Sequence, residues 1–181
     1  MIHDRDLLDR LSAYAPIRFD DTVFRATRLG LNPLAPSLAG GRWAPRDETP
    51  VLYTSLAREG ALAEISYHLG QLTPRPSKPI TLHQLHATAH KALRLLRADL
   101  IPLGVERDAC ESLGYQRTQE IGAAVAFLEC DGLIAPSARW PCENLMLFTA
   151  NHSAENRLEL RGSEIVDWIA WARAQHLLPE P

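Results

Sequence analysis

The sequence has few cysteines and no long apolar run. Its three cysteines, Cys110, Cys130 and Cys142, are an odd number, and none stands in a C-x-x-C pair. The pattern argues against a disulfide framework and favours a reducing compartment. No stretch approaches the roughly 18 apolar residues of a membrane-spanning helix. The first ten residues carry acids where a signal peptide would have an apolar core. We therefore expect a cytoplasmic protein without a membrane partner.

The sequence also has no excess of positive charge. The formal net charge is −3, and no run contains five or more Lys or Arg residues. Direct binding to nucleic acid is therefore not expected, although a small anion could still be bound by two arginines. The sequence contains neither G-x-G-x-x-G nor G-x-x-x-x-G-K-[ST], which excludes the Rossmann fingerprint and the P-loop.

A metal site is not expected either. His83, His86 and His90 have helical spacing, but T-L-H-Q-L-H-A is more typical of a strand, in which His83 and His86 point to opposite faces. The cysteines are interpreted as buried apolar residues.

The 181 residues suit one domain spanning residues 1–181, with 46% apolar and 23% charged residues. Strands and helices are mixed without regular alternation, which predicts an α+β fold with mixed or antiparallel sheets and flanking helices. Periodicity predicts helices at 4–14, 56–69 (capped by Ser55), 105–113, 117–130 (ended by Asp131-Gly132) and 163–177 (capped by Ser163). Strands are predicted at 22–27, 51–54, 133–135 and 145–149, and a hairpin at 80–87 and 91–97.

Three residues of different chemistry follow one another at equal steps of eleven: Arg42, Tyr53 and Glu64. Arg42 comes after two glycines, and its planar fork suits a phosphate. An exposed arginine beside a core Trp43 is an equally good interpretation. Tyr53 in an apolar strand is most often a core residue. Glu64 on a helix of small residues needs a partner, either in a ligand site or in an ion pair with Arg58 or another cation.

Two further polar residues lie at the ends of predicted strands. Ser137 in I-A-P-S-A directly follows a buried strand, a common place for a ligand group. No G-x-S-x-G surrounds it, which argues against a hydrolase nucleophile. Asn144 opens the next strand and either contacts a ligand or fixes the local backbone.

The order of short motifs resembles that of the RES-domain toxins, the toxin halves of type II toxin–antitoxin pairs. The motifs are V-F-R, G-G-R-W, V-L-Y-T, A-L-A-E-I, G-L-I-A-P-S-A and N-L-M-L-F, within about residues 22–152. The resemblance implies a fold similar to that of ADP-ribosyltransferase toxins and an activity that consumes NAD. Two departures concern the rim of the pocket: Ala44 stands where the family often has Asn, and the stretch between Glu64 and Ser137 is long.

The resemblance also implies residue roles. Glu64, Arg42 and Ser137 match the family's catalytic residues, and Arg25, Arg42, Tyr53, Ser137 and Asn144 are candidates for binding NAD. NAD would be the substrate, with no prosthetic group and no metal. Glu64 would stabilise the oxocarbenium-like transition state, and Ser137 would contact the ribose or nicotinamide.

The acceptor and the partner stay open at this point. Water, phosphate or a protein side chain would make the protein a glycohydrolase, a phosphorylase or an ADP-ribosyltransferase, and NAD depletion is preferred. A non-catalytic binding module is the alternative from another class. A toxin implies a cognate antitoxin, expected to be a helix-turn-helix DNA-binding protein, and homo-oligomers within such a complex are compatible with the sequence. The C-terminal helix, with Trp168 and Trp171, is expected to pack on the core rather than to meet that partner.

Overall fold

The computed structural model describes residues 4–105 and 115–178. The five α-helices within these ranges are α1 (Arg5–Ser12), α2 (Arg58–Gly70), α3 (Arg97–Leu100), α4 (Gln116–Phe127) and α5 (Trp168–Ala174). The six strands are β1 (Ile17–Arg28), β2 (Val51–Ser55), β3 (Ile80–Arg94), β4 (Gly132–Pro136), β5 (Glu143–Phe148) and β6 (Leu158–Val166). The expected α+β fold, a sheet with flanking helices, is confirmed.

The described strands form one sheet in the order β1-β2-β5-β4-β3-β6. All pairs are antiparallel except β3–β4, which is parallel. The sheet also closes on itself, because β1 pairs with β3 as well as with β2. The β1–β2 contact is limited to Phe24 and Ser55, so the two strands diverge beyond that point.

The apolar residues of β2, β4 and β5 are buried on both faces of the sheet. One core cluster lies between the sheet and helices α1 and α4, and another lies between the sheet and helices α2 and α5. Helix α1 contributes Leu7 and Leu11, as its predicted apolar face requires. Because the central strands are covered on both sides, they read as continuous apolar runs, and their predicted positions are confirmed to within two residues.

The predicted hairpin at 80–87 and 91–97 is wrong, because β3 continues from Ile80 to Arg94 without a turn. Its pairing with β1 extends to Ala92, and its pairing with β4 begins at the same residue. Where β3 changes partners, the Asp131 carboxylate accepts hydrogen bonds from the backbone N–H groups of His90 (2.7 Å) and Lys91 (2.9 Å). These contacts satisfy two backbone N–H groups of β3 at this point, so the strand continues without a turn.

The predicted helix over 163–177 is wrong in its first third. Ser163 lies in β6, and its hydroxyl is hydrogen-bonded to the Nδ1 atom of His83 (2.8 Å). Helix α5 starts only at Trp168, where the Asp167 carboxylate caps it by accepting from Ile169 and Ala170. Trp168 is completely buried, so the expected core packing is confirmed for that residue.

One predicted helix cap and one predicted helix boundary are also wrong. Helix α2 begins after Ala57, which makes no side-chain cap, while Ser55 is the last residue of β2. Helix α4 ends at Phe127 rather than at Asp131-Gly132, because Glu129 takes a positive φ of 59° and Gly132 already belongs to β4. The helix predicted at 105–113 falls, apart from residue 105, outside the described residues, as does Cys110.

None of the described helices is long and apolar enough to cross a membrane. In the same part of the chain, no three His, Cys, Asp or Glu side chains come together in a way that could hold a metal ion. His83 is buried between hydroxyl groups, and Cys130 is a buried free thiol, whereas Cys142 is only partly buried.

Candidate functional site

A cleft of about 290 Å³ opens between α2, the strands β1 and β2, and the chain segments that follow Gly40 and Pro136. This volume is close to the lower end of the roughly 300–1,000 Å³ typical of small-molecule sites. The polar and aromatic side chains that line it are Phe24, Arg25, Arg42, Trp43, Tyr53, Thr54, Ser55, Glu64, Tyr67, His68, Tyr115, Arg139 and Asn144.

Glu64 occupies the middle of α2 and points its carboxylate to the ends of β4 and β5. Its Oε1 atom accepts hydrogen bonds from the Ser137 hydroxyl (2.8 Å) and from the Asn144 side-chain amide (3.0 Å). Arg58 is not its partner, because that guanidinium pairs with Glu164 (2.8 Å) and Glu59 (3.5 Å). Both hydrogen bonds hold one carboxylate oxygen, Oε1, in place, and no described residue donates to Oε2.

Helix α2 can approach the strand ends because Gly60 has no side chain. A Cβ atom at Gly60 would lie 2.5 Å from the Cys142 sulfur and would also overlap the Ser55 hydroxyl. Glu64 stands one turn further along the same helix. The small residue at position 60 therefore sets the distance between the Glu64 carboxylate and the ends of β4 and β5.

Ser137 is almost fully buried, with 2% of its surface exposed. Its hydroxyl donates to Glu64 and accepts a hydrogen bond from the backbone N–H of Arg139 (3.1 Å). A hydroxyl has only one proton to donate, so in this arrangement Ser137 donates to the carboxylate and not to a ligand.

Asn144 faces the cleft directly. Its position in β5 is opposite Ala135 of β4 and Ser55 of β2, which fixes its side chain beside Glu64. The amide nitrogen is assigned toward the carboxylate because the amide oxygen would be repelled there. The Oδ1 atom is buried and accepts no hydrogen bond from any described residue. A buried acceptor of this kind is a natural partner for a ligand hydroxyl.

The G-G-R-W turn brings Arg42 to the cleft. Gly40 has a φ of 75°, and a Cβ atom at Gly41 would lie 2.7 Å from the Tyr53 hydroxyl oxygen. That hydroxyl oxygen accepts a hydrogen bond from the backbone N–H of Trp43 (3.2 Å). Burial raises the pKa of Tyr53, so the phenol stays neutral. Tyr53 therefore holds the turn while its ring lines the cleft.

Two arginines on the cleft come from the elements predicted for them. The Arg42 guanidinium stacks 4.6 Å from the centre of the Tyr115 ring. Arg25 projects from β1, and its Nη1 atom is buried without a hydrogen-bond partner among the described residues. Burial lowers the pKa of Arg25, but an arginine stays cationic at any physiological pH.

A comparison with protein families decides which group the chain is part of. The model of the RES domain matches residues 17–168, most of the sequence. The chain belongs to the RES-domain family. This result confirms the resemblance that the motifs indicated.

The RES domain found here also has a known structural counterpart. A chain in the crystal structure of the M. tuberculosis MbcT–MbcA toxin–antitoxin complex superposes with a TM-score of 0.82 and 21% sequence identity. The match covers 96% of this chain and 98% of the other. At this identity the likeness establishes the fold. A sequence comparison with curated proteins gives no match.

The RES fold brings the sequence-predicted residues together. Glu64, Ser137 and Asn144 are in direct contact, and Arg25, Arg42 and Tyr53 lie on walls of the same cleft. Their roles toward a ligand stay predictions. Chemically, the cleft combines one oriented carboxylate, several cations and several aromatic faces, which suits a ligand with phosphates, rings and hydroxyl groups.

Sequence reasoning missed several residues of this RES-domain cleft. Tyr67 and His68 lie three and four positions after Glu64, so they share its helix face, and this spacing could have identified them. Arg139 lies two positions after Ser137, and its guanidinium stacks 3.4 Å above the Tyr67 ring. Tyr115 carried no such signal, because only its stacking with Arg42 in three dimensions marks it.

Proposed function

We propose that this protein is the toxin of a type II toxin–antitoxin pair and that it cleaves the bond between nicotinamide and ribose in NAD. Membership in the RES-domain family and the fold shared with a chain of a toxin–antitoxin complex support the first part. The observation that carries the second part is the Glu64 carboxylate, oriented by Ser137 and Asn144 in a cleft lined with arginines.

One carboxylate is sufficient for this reaction. The bond between the ribose C1 atom and the ring nitrogen breaks with its electron pair going to the nitrogen, and nicotinamide leaves as a neutral molecule. No general acid is needed, in contrast to glycosidases that must protonate a leaving oxygen. The ribose then carries positive charge, which the fixed Glu64 carboxylate stabilises electrostatically. An acceptor oxygen attacks C1 and releases its proton to the solvent.

The remaining groups bind and orient the dinucleotide. Arg42 and Arg25 supply cations for the pyrophosphate, and the partnerless Nη1 atom of Arg25 is a donor that a phosphate oxygen would satisfy. The Asn144 Oδ1 atom is a buried acceptor that a ribose hydroxyl would satisfy. The Tyr53 ring, held by the bond between its hydroxyl and Trp43, shapes the slot for a flat ring.

The test is a product analysis of purified protein with NAD. Reactions with and without inorganic phosphate, and without any other protein, are resolved by mass spectrometry. ADP-ribose indicates a glycohydrolase and ADP-ribose 1″-phosphate a phosphorylase. ADP-ribose attached to a protein, after a lysate is added, indicates a transferase. NAD binding without any product would instead favour a non-catalytic nucleotide-binding module.

The residue-level control is a pair of variants on one helix. Glu64→Gln keeps the shape of the side chain but removes its charge, so the rate of NAD loss should fall by about 10²–10³. Glu59→Gln changes a half-exposed carboxylate whose one ion pair among the described residues is with Arg58, and its rate should equal the wild-type rate. Circular dichroism should show both variants folded. Wild-type turnover by Glu64→Gln would overturn the assignment.

The proposed partner is an antitoxin of the helix-turn-helix class that covers the cleft or its entrance, in the cytoplasm. Co-expression with the product of a neighbouring gene tests it, because a true antitoxin should co-purify with this chain and should suppress NAD loss.

A further inference from the structure

Arg139 is a third cation of the cleft, separate from the two arginines assigned to the pyrophosphate. It follows β4, whereas Arg25 lies on β1 and Arg42 in the turn before β2. Its guanidinium lies 3.4 Å above the centre of the Tyr67 ring, within the range of a cation–π contact. Its backbone N–H is tied to the Ser137 hydroxyl, which in turn donates to Glu64. The backbone of Arg139 is thus tied to the Ser137–Glu64 pair, and its charge lies over Tyr67, a residue of the helix that carries Glu64.

The charge of Arg139 is not compensated within the described part of the chain. No ion pair among the described residues includes Arg139. The Nη2 atom of Arg139 is buried and has no hydrogen-bond partner among these residues. Buried guanidinium N–H groups are normally satisfied, and an unsatisfied one in a cleft calls for an acceptor from outside the chain. The acceptor that matches a planar, permanently charged fork is an oxyanion of the phosphate type.

We propose that Arg139 binds a phosphate oxyanion in this cleft, with Tyr67 as the positioning residue that holds the guanidinium. The proposal rests on the proposed function, since it assigns a further contact in the same site. Two sources carry this chemistry: the pyrophosphate of the dinucleotide, or a free inorganic phosphate bound next to the reacting carbon. The Tyr67 ring supports the guanidinium from one face and leaves its edge for the anion.

The experiment measures binding without turnover. Calorimetric titrations use Glu64→Gln protein with four probes: NAD, inorganic pyrophosphate, inorganic phosphate, and nicotinamide riboside, which has the ring and ribose but no phosphate. Adding Arg139→Gln should weaken at least one phosphate-bearing probe about tenfold and leave nicotinamide riboside unchanged. Loss for NAD and pyrophosphate identifies the dinucleotide as the source. Loss for inorganic phosphate alone identifies the free ion.

Two sets of variants separate an anion contact from a merely structural role. Arg97→Gln is the matched control, because Arg97 contacts the Ser137 carbonyl oxygen (3.4 Å) but does not line the cleft, and its affinities should be unchanged. Tyr67→Phe keeps the ring and should bind like the parent, whereas Tyr67→Leu should lose part of what Arg139→Gln loses. Arg139→Lys should recover part of the affinity, since it restores the charge but not the fork.

Different results would contradict the Arg139 proposal and the proposed function. If every phosphate-bearing probe binds the Arg139→Gln protein within threefold of its parent, or if none binds the parent, the proposal is wrong. A fall in nicotinamide riboside affinity equal to that for NAD would also overturn it, because the role would then be structural. The proposed function fails separately, when wild-type protein leaves NAD intact. Inorganic phosphate and pyrophosphate still report on Arg139 in that case.

Discussion

Adding one methyl group at Gly122 should damage both the stability and the cleft of this protein. Gly122 is buried in α4, where the helix crosses the turn that carries Arg42. A Cβ atom at this position would overlap the carbonyl oxygen of Trp43, and it would lie 2.7 Å from the carbonyl carbon and 3.2 Å from the Cα atom. All three are backbone atoms, so no side-chain rotation can relieve the overlap.

The sign of the effect follows from comparing two opposing terms. Alanine is favoured over glycine within a helix by about 1 kcal/mol. Overpacking a core costs about 1–3 kcal/mol and occasionally more, and the higher end applies here because a backbone segment must move. We therefore expect Gly122→Ala to lower the free energy of unfolding by about 2 kcal/mol.

The displacement should also reach the ligand site. The Gln119 side chain, one turn before Gly122, donates a hydrogen bond to the carbonyl oxygen of Gly41 (2.9 Å). Helix α4 thus holds the turn at two points, and a shift of the helix moves Arg42 away from its place on the cleft. NAD should bind more weakly to Gly122→Ala than to the parent, with both proteins carrying Glu64→Gln to prevent turnover.

Urea denaturation monitored by circular dichroism measures the effect. The control is Gly162→Ala in β6, where a Cβ atom would meet nothing within 4 Å. This variant should be unchanged or more stable by up to about 1 kcal/mol, because alanine restricts the unfolded chain. If Gly122→Ala unfolds within about 0.5 kcal/mol of wild type, the close approach of α4 to Trp43 is refuted.

Two further predictions concern buried titratable side chains away from the cleft carboxylate. Asp131 is 4% exposed and accepts hydrogen bonds from the backbone N–H groups of His90 and Lys91. Asp131→Asn should lower the free energy of unfolding by about 1–3 kcal/mol, because it removes the negative charge and replaces one acceptor oxygen with an N–H donor. A urea midpoint equal to that of wild type would contradict this. The second prediction concerns His83, whose pKa is lowered by burial and by the nearby cation of Arg25. The unfolded chain therefore binds more protons than the folded chain below about pH 6.5. The free energy of unfolding should fall as the pH drops below that value, until the pKa of the folded state is reached. His83→Gln should flatten this dependence of the urea midpoint between about pH 7 and 5, leaving the slope from two other histidines with lowered pKa values; an unchanged slope would exclude His83 as a source.

The parts of the fold that the sequence predicts well are those in which one local signal dominates. The strands at 51–54, 133–135 and 145–149 are apolar runs bounded by polar or turn residues, and they lie within two residues of β2, β4 and β5. Helix α1 has a clear apolar face, and both of its buried leucines are on it. In these segments burial alone determines the structure, so no distant residue has to be known.

The wrong predictions have a common physical cause in tertiary pairing. The sequence S163-E-I-V-D167 has the composition of a helix start, yet it forms the end of β6 because β3 offers a free edge along eight residue pairs. The helix does have a side-chain cap, but the capping residue is Asp167, four positions after the predicted Ser163. Likewise, β3 passes through a predicted break because β1 lies along most of its length. The local sequence of neither segment shows that a partner strand is available.

The site was predictable only in part, because its contacts join distant residues. The partners of the Glu64 carboxylate lie 73 and 80 positions along the chain, at the ends of strands that only the folded sheet brings together. The order of family motifs identified both partners, but not their geometry. In the structure the one proton of the Ser137 hydroxyl is donated to the Glu64 carboxylate, while the contact of Ser137 with a ligand stays a prediction. Removing that hydroxyl should therefore act through the carboxylate.

The equal spacing of Arg42, Tyr53 and Glu64 has a structural reason for its first two members and none for the third. Tyr53 and Arg42 are linked because the Tyr53 hydroxyl holds the turn through Trp43 and excludes any side chain at Gly41. Glu64 reaches the same cleft from a different element, placed by the missing side chain of Gly60. The turn and the helix are thus fixed independently. A change at Gly41 should therefore disturb Arg42 while leaving the bonds of Glu64 to Ser137 and Asn144 in place.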